Sequence, residues 1–161
     1  MRLLGLLAAL LIGVSACASD QGSAQDPTDD RSTGEPTSPE FSYDVVALVS
    51  GSAAHGPGMK GSRPWLLADQ DALDRYAEQF EGPLPSSLKQ QGGHALADLA
   101  AGQALTATVV AVGCEPPTKV TVTSSGGTVN VRAVPVESNI QCLVPVTTVA
   151  LVSMPEAYAR G

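Results

Sequence analysis

The chain has 161 residues, with 16 acidic against nine basic side chains and a formal charge of -7 at pH 7. That balance excludes the basic footprint nucleic-acid binding requires, and it argues against electrostatic adsorption to anionic lipid. The length suffices for one domain with a terminal extension.

Arg2 is followed by the apolar stretch Leu3 to Val14, which as a helix reaches about 18 Å. A bilayer core is roughly 30 Å thick, so the stretch reads as the h-region of a signal peptide rather than a span. Val14-Ser15-Ala16-Cys17 closes it with an aliphatic residue, two small residues and a cysteine. This pattern resembles the lipobox of bacterial lipoproteins. The resemblance implies that residues 1–16 are a lipoprotein signal peptide cleaved before Cys17. It further implies a diacylated Cys17 thiol and a lipid-anchored protein on the extracytoplasmic face of the cell membrane. Two acyl chains hold a protein stably where one binds reversibly. An ordinary secretory signal cleaved near Ala16 or Ala18, and a plain N-terminal anchor helix, are the alternatives.

Residues 17–40 read as the lipidated N-terminus and a disordered acidic tether. Asp20, Asp26, Asp29, Asp30, Glu35 and Glu40 stand against Arg31 alone, and Pro27, Pro36 and Pro39 are mixed with Ser, Thr and Gly. A segment with no large apolar side chain cannot offset its ordering entropy by burial. As a coil it spans about 25 Å on average, enough to hold a domain clear of the membrane surface.

Residues 41–161 read as a single α+β domain with a mainly antiparallel sheet and two short helices on one face. Phe41, Tyr43, Val45, Ala47 and Val49 alternate with Ser42 and Asp44, and Val46 and Leu48 then fill the second face. The pattern predicts a strand that starts half exposed and becomes buried on both sides. Residues 51–64, rich in Gly and Pro, form a loop. Asp69 caps a helix over 69–80, Asp71 and Asp74 suit its first turn, and Leu73, Tyr76, Ala77 and Phe80 form its apolar stripe. A shorter helix is expected over about 94–101, with Gly102 as its stop.

From Leu105 the pattern turns to strands, at 105–112, 119–124, 128–134 and 144–153. Ser125-Gly126-Gly127 holds the turn of a hairpin. A two-residue loop at Gly126-Gly127 sets Val122 opposite Val131, and one at Ser125-Gly126 sets Val122 opposite Val129. Either keeps the valines on one face, whereas a three-residue loop would oppose valine and threonine throughout.

With Cys17 assigned to lipid, Cys114 and Cys142 remain as an even pair in an exported chain, which predicts a disulfide. Such a bridge contributes about 3–4 kcal/mol on the chain-entropy account. Two buried free thiols or a redox pair are the alternatives, and no Cys-x-x-Cys spacing supports the latter.

The order of elements adds a second resemblance. A strand, then Trp65-Leu66-Leu67 with helix 69–80, a connecting helix, and a β-rich end closing on Val149-Ala150-Leu151-Val152-Ser153-Met154-Pro155 resembles the C-terminal domain of PrcB-like lipoproteins. It covers most of 41–155 as a pattern of elements and implies association with a protease complex. The Gly-Gly-Tyr turn of that family is replaced here by Cys114-Glu115-Pro116-Pro117-Thr118.

No catalytic motif stands out. Gly51 to Gly56 has the opening spacing of a phosphate loop, but Pro57 occupies the position of the required Lys. His55 and Met59 are candidate copper ligands, with His94 and Met154 the remaining donors and nothing in the spacing to assemble them. Asp44, Asp69, Asp71, Asp74 and Asp98 are candidates for a carboxylate dyad, against capping and a wet helix face as the plainer reading of 69, 71 and 74. Trp65 reads chiefly as a core anchor, although His55, Arg63 and Trp65 could line a recognition surface beside the 51–63 loop. The expectation is a membrane-anchored envelope lipoprotein without cofactor that binds an envelope protein or polymer. A hydrolase using carboxylates or the 51–63 loop, and a copper-binding lipoprotein, are the other classes.

Overall fold

Strand β6 (Val146–Pro155) is the centre of the molecule, and its residues 147–152 are buried without a break. A run hydrophobic enough to be covered on both faces belongs in the middle of a sheet. In the computed structural model, which describes residues 41–52, 63–137 and 139–160, β6 pairs antiparallel with β1 (Asp44–Ser52) and β3 (Gln103–Gly113). A short strand, β2 (Trp65–Leu67), adds to the far side of β3, giving the order β1-β6-β3-β2. Strands β4 (Val120–Ser125) and β5 (Thr128–Ala133) form a separate two-stranded sheet. Helices α1 (Gln70–Ala77), α2 (Leu84–Ala97) and the short α3 (Glu156–Ala159) complete an α+β fold.

The four-stranded sheet separates two cores. Against α1 and α2, residues Leu73, Tyr76, Leu84 and Leu88 pack on Val49, Leu105 and Leu151. On the opposite face, Val122, Val129 and Val131 of the hairpin pack on Val110, Val152 and Met154, with Tyr158 of α3 at the margin. The hairpin register pairs Val122 with Val131 across a two-residue turn. Gly126 and Gly127 both have positive φ, at 56° and 77°, the signature of a type I′ turn. Thr121, Thr123, Asn130 and Arg132 face water.

Helix α1 starts as expected, with the Asp69 carboxylate accepting from the Ala72 amide at 2.7 Å. It ends at Ala77 rather than at residue 80, yet Phe80 stays buried and meets the Tyr76 ring edge-on at 5.4 Å.

The second helix departs further. It begins at Leu84, ten residues before the expected start, and ends at Ala97 instead of 101. Pro85 sits in its first turn, where a missing N–H is harmless. Gly92 and Gly93 lie inside it despite their poor propensity. A Cβ on Gly92 would stand 2.7 Å and 2.8 Å from the two Leu73 methyl carbons. The close approach of α2 to α1 therefore overrides local preference, and the glycine is what permits it. Gly102 does not stop a helix. It takes φ 79° in the turn leading to β3.

Strand β1 is also corrected. Its ladder with β6 slips between Val45 and Ala47, leaving Val46 as the extra residue of a β-bulge. The bulge shifts side-chain parity, as bulges do. Val45 and Leu48 point to the hairpin side while Ala47 and Val49 point to the helices. The strand is not buried on both sides, since Val46 is 40% exposed, and it runs on through Gly51 and Ser52, where the sequence predicts a loop.

Cys114 and Cys142 form the expected disulfide, with Cα atoms 5.4 Å apart. It lies at the base of the excursion that leaves β3, makes the hairpin and returns to β6. Past the hairpin, Val134, Val136, Ile140, Leu143 and Val144 are exposed. Among the described residues no helix is long and apolar enough to cross a membrane.

Candidate functional site

Of the residues singled out from the sequence, Cys17, His55 and Met59 lie outside the described residues. Trp65 is not a core anchor. It is 48% exposed on the edge strand β2, with one side of its ring 5.9 Å from Tyr76. Arg63 lines a small hollow with Gly127, Thr128 and Tyr158, so the structure gives the two members of the expected recognition surface different neighbours. Met154 is fully buried under the hairpin. No group of three His, Cys, Asp or Glu side chains that could hold a metal occurs among the described residues.

The five candidate carboxylates divide in two. Asp69, Asp71 and Asp74 belong to the start and outer face of α1, where Asp69 caps. Asp74 accepts from Gln70 at 3.2 Å and meets Lys89 of α2 at 3.4 Å. Asp44 and Asp98 come together. They line one cleft with His94, although 50 residues separate Asp44 from His94 in the chain.

The fold assembles that cleft from small residues. His94 and Asp98 are one helical turn apart on α2, and the Asp98 amide closes the helix on the His94 carbonyl at 3.1 Å. Farther along β1, Gly51 lets Leu84 come close, since a Cβ there would be 3.2 Å from Leu84 Cβ. Near the other end of the α2–β1 contact, Ala47 and Ala95 fill less of the space between strand and helix. The result is a cleft of about 450 Å³ at the sheet edge. Asp44, His94 and Asp98 are exposed at its rim.

A second cleft, about 540 Å³, lies on the other side of the same strand. Its walls are Val45 and Leu48 of β1 and Thr118, Lys119 and Val120 leading into β4. Val46 and Ala47 line both clefts. The bulge explains this, because the extra residue at 46, 40% exposed, stands at the outer margin of the sheet. Among the described residues β1 is an edge strand, paired with β6 on one side only.

Chemically, the helix-side cleft offers two carboxylates in water above an alanine- and leucine-lined floor. Among the described residues neither carboxylate forms an ion pair. The hairpin-side cleft offers an apolar wall with one ammonium group at its rim. Burial pushes the Tyr76 hydroxyl far above its ordinary range, but Tyr76 belongs to the core against Phe80 and not to either cleft. The sequence offers Asp44 and Asp98 only among five candidate carboxylates, and nothing in it joins them to His94. No family model, curated protein or solved structure matches the chain.

Proposed function

We propose that the chain is an envelope lipoprotein, held in the membrane by acyl groups on Cys17, whose 41–161 domain binds an envelope protein or polymer without catalysing a reaction. The observation that carries this reading is the edge strand β1, which among the described residues is paired on one side only and is flanked by a cleft on each face. A sheet edge of that kind can take up an extended chain by backbone pairing, with side-chain pockets on either face supplying specificity. The exposed apolar side chains at 134–144 add a second mark of contact with a partner. The lipobox and the acidic tether supply the anchor, and the likeness to PrcB-like lipoproteins makes a protease complex one class of partner.

A hydrolase is the second reading, favoured by the shared cleft of Asp44 and Asp98. General acid catalysis needs a carboxyl displaced by desolvation or a close like charge, and both carboxylates here stand at an exposed rim. The binding reading is therefore preferred.

A photo-crosslinking residue placed at Val46 in the membrane-anchored protein tests it, with one at exposed Asp71 as control. The binding reading expects a discrete adduct at 46 that is missing at 71. Identical adducts from the two positions, or none from either, would sink it. For the anchor, Cys17→Ser protein is expected to leave the membrane fraction, and its retention there would count against lipidation.

A further inference from the structure

We infer that β1 takes up a partner by strand addition, and that the partner segment alternates basic with apolar residues. The inference rests on the binding reading above and names the mode and chemistry of that same site. An extended chain laid along β1 pairs its backbone with the strand's open edge, and its successive side chains point to opposite faces. Here the opposite faces carry unlike clefts. Side chains on the helix side meet Asp44 and Asp98, and those on the hairpin side meet Val45, Leu48 and Val120. Lysine or arginine suits the first set and valine, isoleucine or leucine the second.

Charge separates this occupant from the others within reach. The chain's own tether carries six acids against one arginine, so its approach to Asp44 and Asp98 is repelled. A second copy offering its own β1 brings Asp44-Val45-Val46-Ala47-Leu48-Val49-Ser50-Gly51-Ser52, which contains no cation at all. A short foreign segment with alternating lysines satisfies both clefts.

The experiment titrates the full-length lipidated protein in detergent micelles with a capped peptide of about eight residues alternating Lys and Val. Binding is expected to shift the backbone amide resonances of residues 44–49. Asp44→Asn with Asp98→Asn is expected to weaken it by about fivefold to tenfold, as loss of two exposed ion pairs does. Both positions are exposed, so an unchanged unfolding midpoint shows that the fold persists. A peptide of the same sequence N-methylated on alternate residues keeps its charge and side chains but loses the ladder, and its binding should disappear. Equal binding of a Glu-Val peptide, insensitivity to the aspartate changes, or full binding by the N-methylated peptide would overturn the proposal. So would a concentration-dependent dimer that the peptide does not displace. If crosslinking at Val46 captures a partner while the Lys-Val peptide fails to bind, the binding reading stands and strand addition falls.

Discussion

The two faces of the central sheet are covered by different means. On the helix side, large side chains dominate, with Leu73, Tyr76, Leu84 and Leu88 of the two helices and Phe80 of the turn between them packing on the sheet. On the hairpin side the buried side chains are mostly valine with one alanine and one methionine, and the cover is chiefly the excursion between β3 and β6, with Phe41 and α3 at the margin. Two buried threonines lie on the same strand as Val110, and only one of them is bonded. Thr106 Oγ1 donates to the Val152 carbonyl at 3.1 Å, whereas Thr108 Oγ1 is buried without a partner. Burial of large apolar groups holds the first layer, and smaller groups assisted by a covalent closure hold the second.

Truncation at matched positions gives the largest test. Leu88→Ala should lower unfolding free energy by about 2–5 kcal/mol. Val131→Ala should lower it by about 2 kcal/mol, since fewer methyl groups are removed. Urea midpoints at constant m-value measure both, and equal losses would erase the contrast.

Within the helix layer, neighbouring glycines should respond with opposite sign. Gly92→Ala forces a methyl against both Leu73 methyls in a fully buried contact. Overpacking of about 1–3 kcal/mol then outweighs the roughly 1 kcal/mol gain in helix propensity. Gly93→Ala meets only the end of the flexible Gln70 side chain, at 3.4 Å, and should stabilise by up to about 1 kcal/mol. Thermal midpoints of the two variants should move apart; a common direction would show that α2 shifts freely on α1.

The hairpin layer should gain where the helix layer loses. Thr108→Val removes a buried hydroxyl that has no partner, and about 1 kcal/mol of stability is expected in return. Thr106→Val, which breaks a made hydrogen bond, should bring no such gain. If both variants were equally stabilised, the distinction between the two hydroxyls would be wrong.

The smallest effect is silent at neutral pH. Tyr76 in the folded chain resists ionisation beyond the range where an exposed tyrosine loses its proton, because burial penalises the phenolate. The unfolded chain then ionises first, so this contribution is complete below about pH 10 and is lost as pH rises above it. Tyr76→Phe should show a shallower alkaline decline, read from unfolding midpoints on either side of that pH. Parallel curves would remove the buried phenol from the account.

How much of this was legible in the sequence follows from the range of the forces involved. Local signals suffice for the Asp69 cap, a two-residue turn within Ser125-Gly126-Gly127, the valine face of the hairpin, and the pairing of the two downstream cysteines. Tertiary contact decided the rest. Helix α2 runs through Gly92-Gly93 because Leu73 needs the room, and no local rule reports that. The bulge at Val46 reverses the facing of Val45 relative to Ala47, which strict alternation cannot register. Trp65 is exposed because β2 lies at the sheet edge, and sheet order was not derivable. The meeting of Asp44 with His94 and Asp98 joins a strand and a helix whose adjacency only the fold creates.

The bridge between Cys114 and Cys142 has a consequence for damage. Gly113 at the end of β3 faces Val146 at the start of β6, so the bridge shuts the neck of everything between them. Residues 115–141, with the whole hairpin inside, form a covalent ring closed at the bridge. A protease that cuts the exposed segment after β5 therefore opens a ring and releases nothing. The two pieces stay covalently joined until a reductant reaches the bridge, and after that the carboxyl-terminal piece is held by noncovalent contact alone, chiefly the pairing of β6 with β1 and β3.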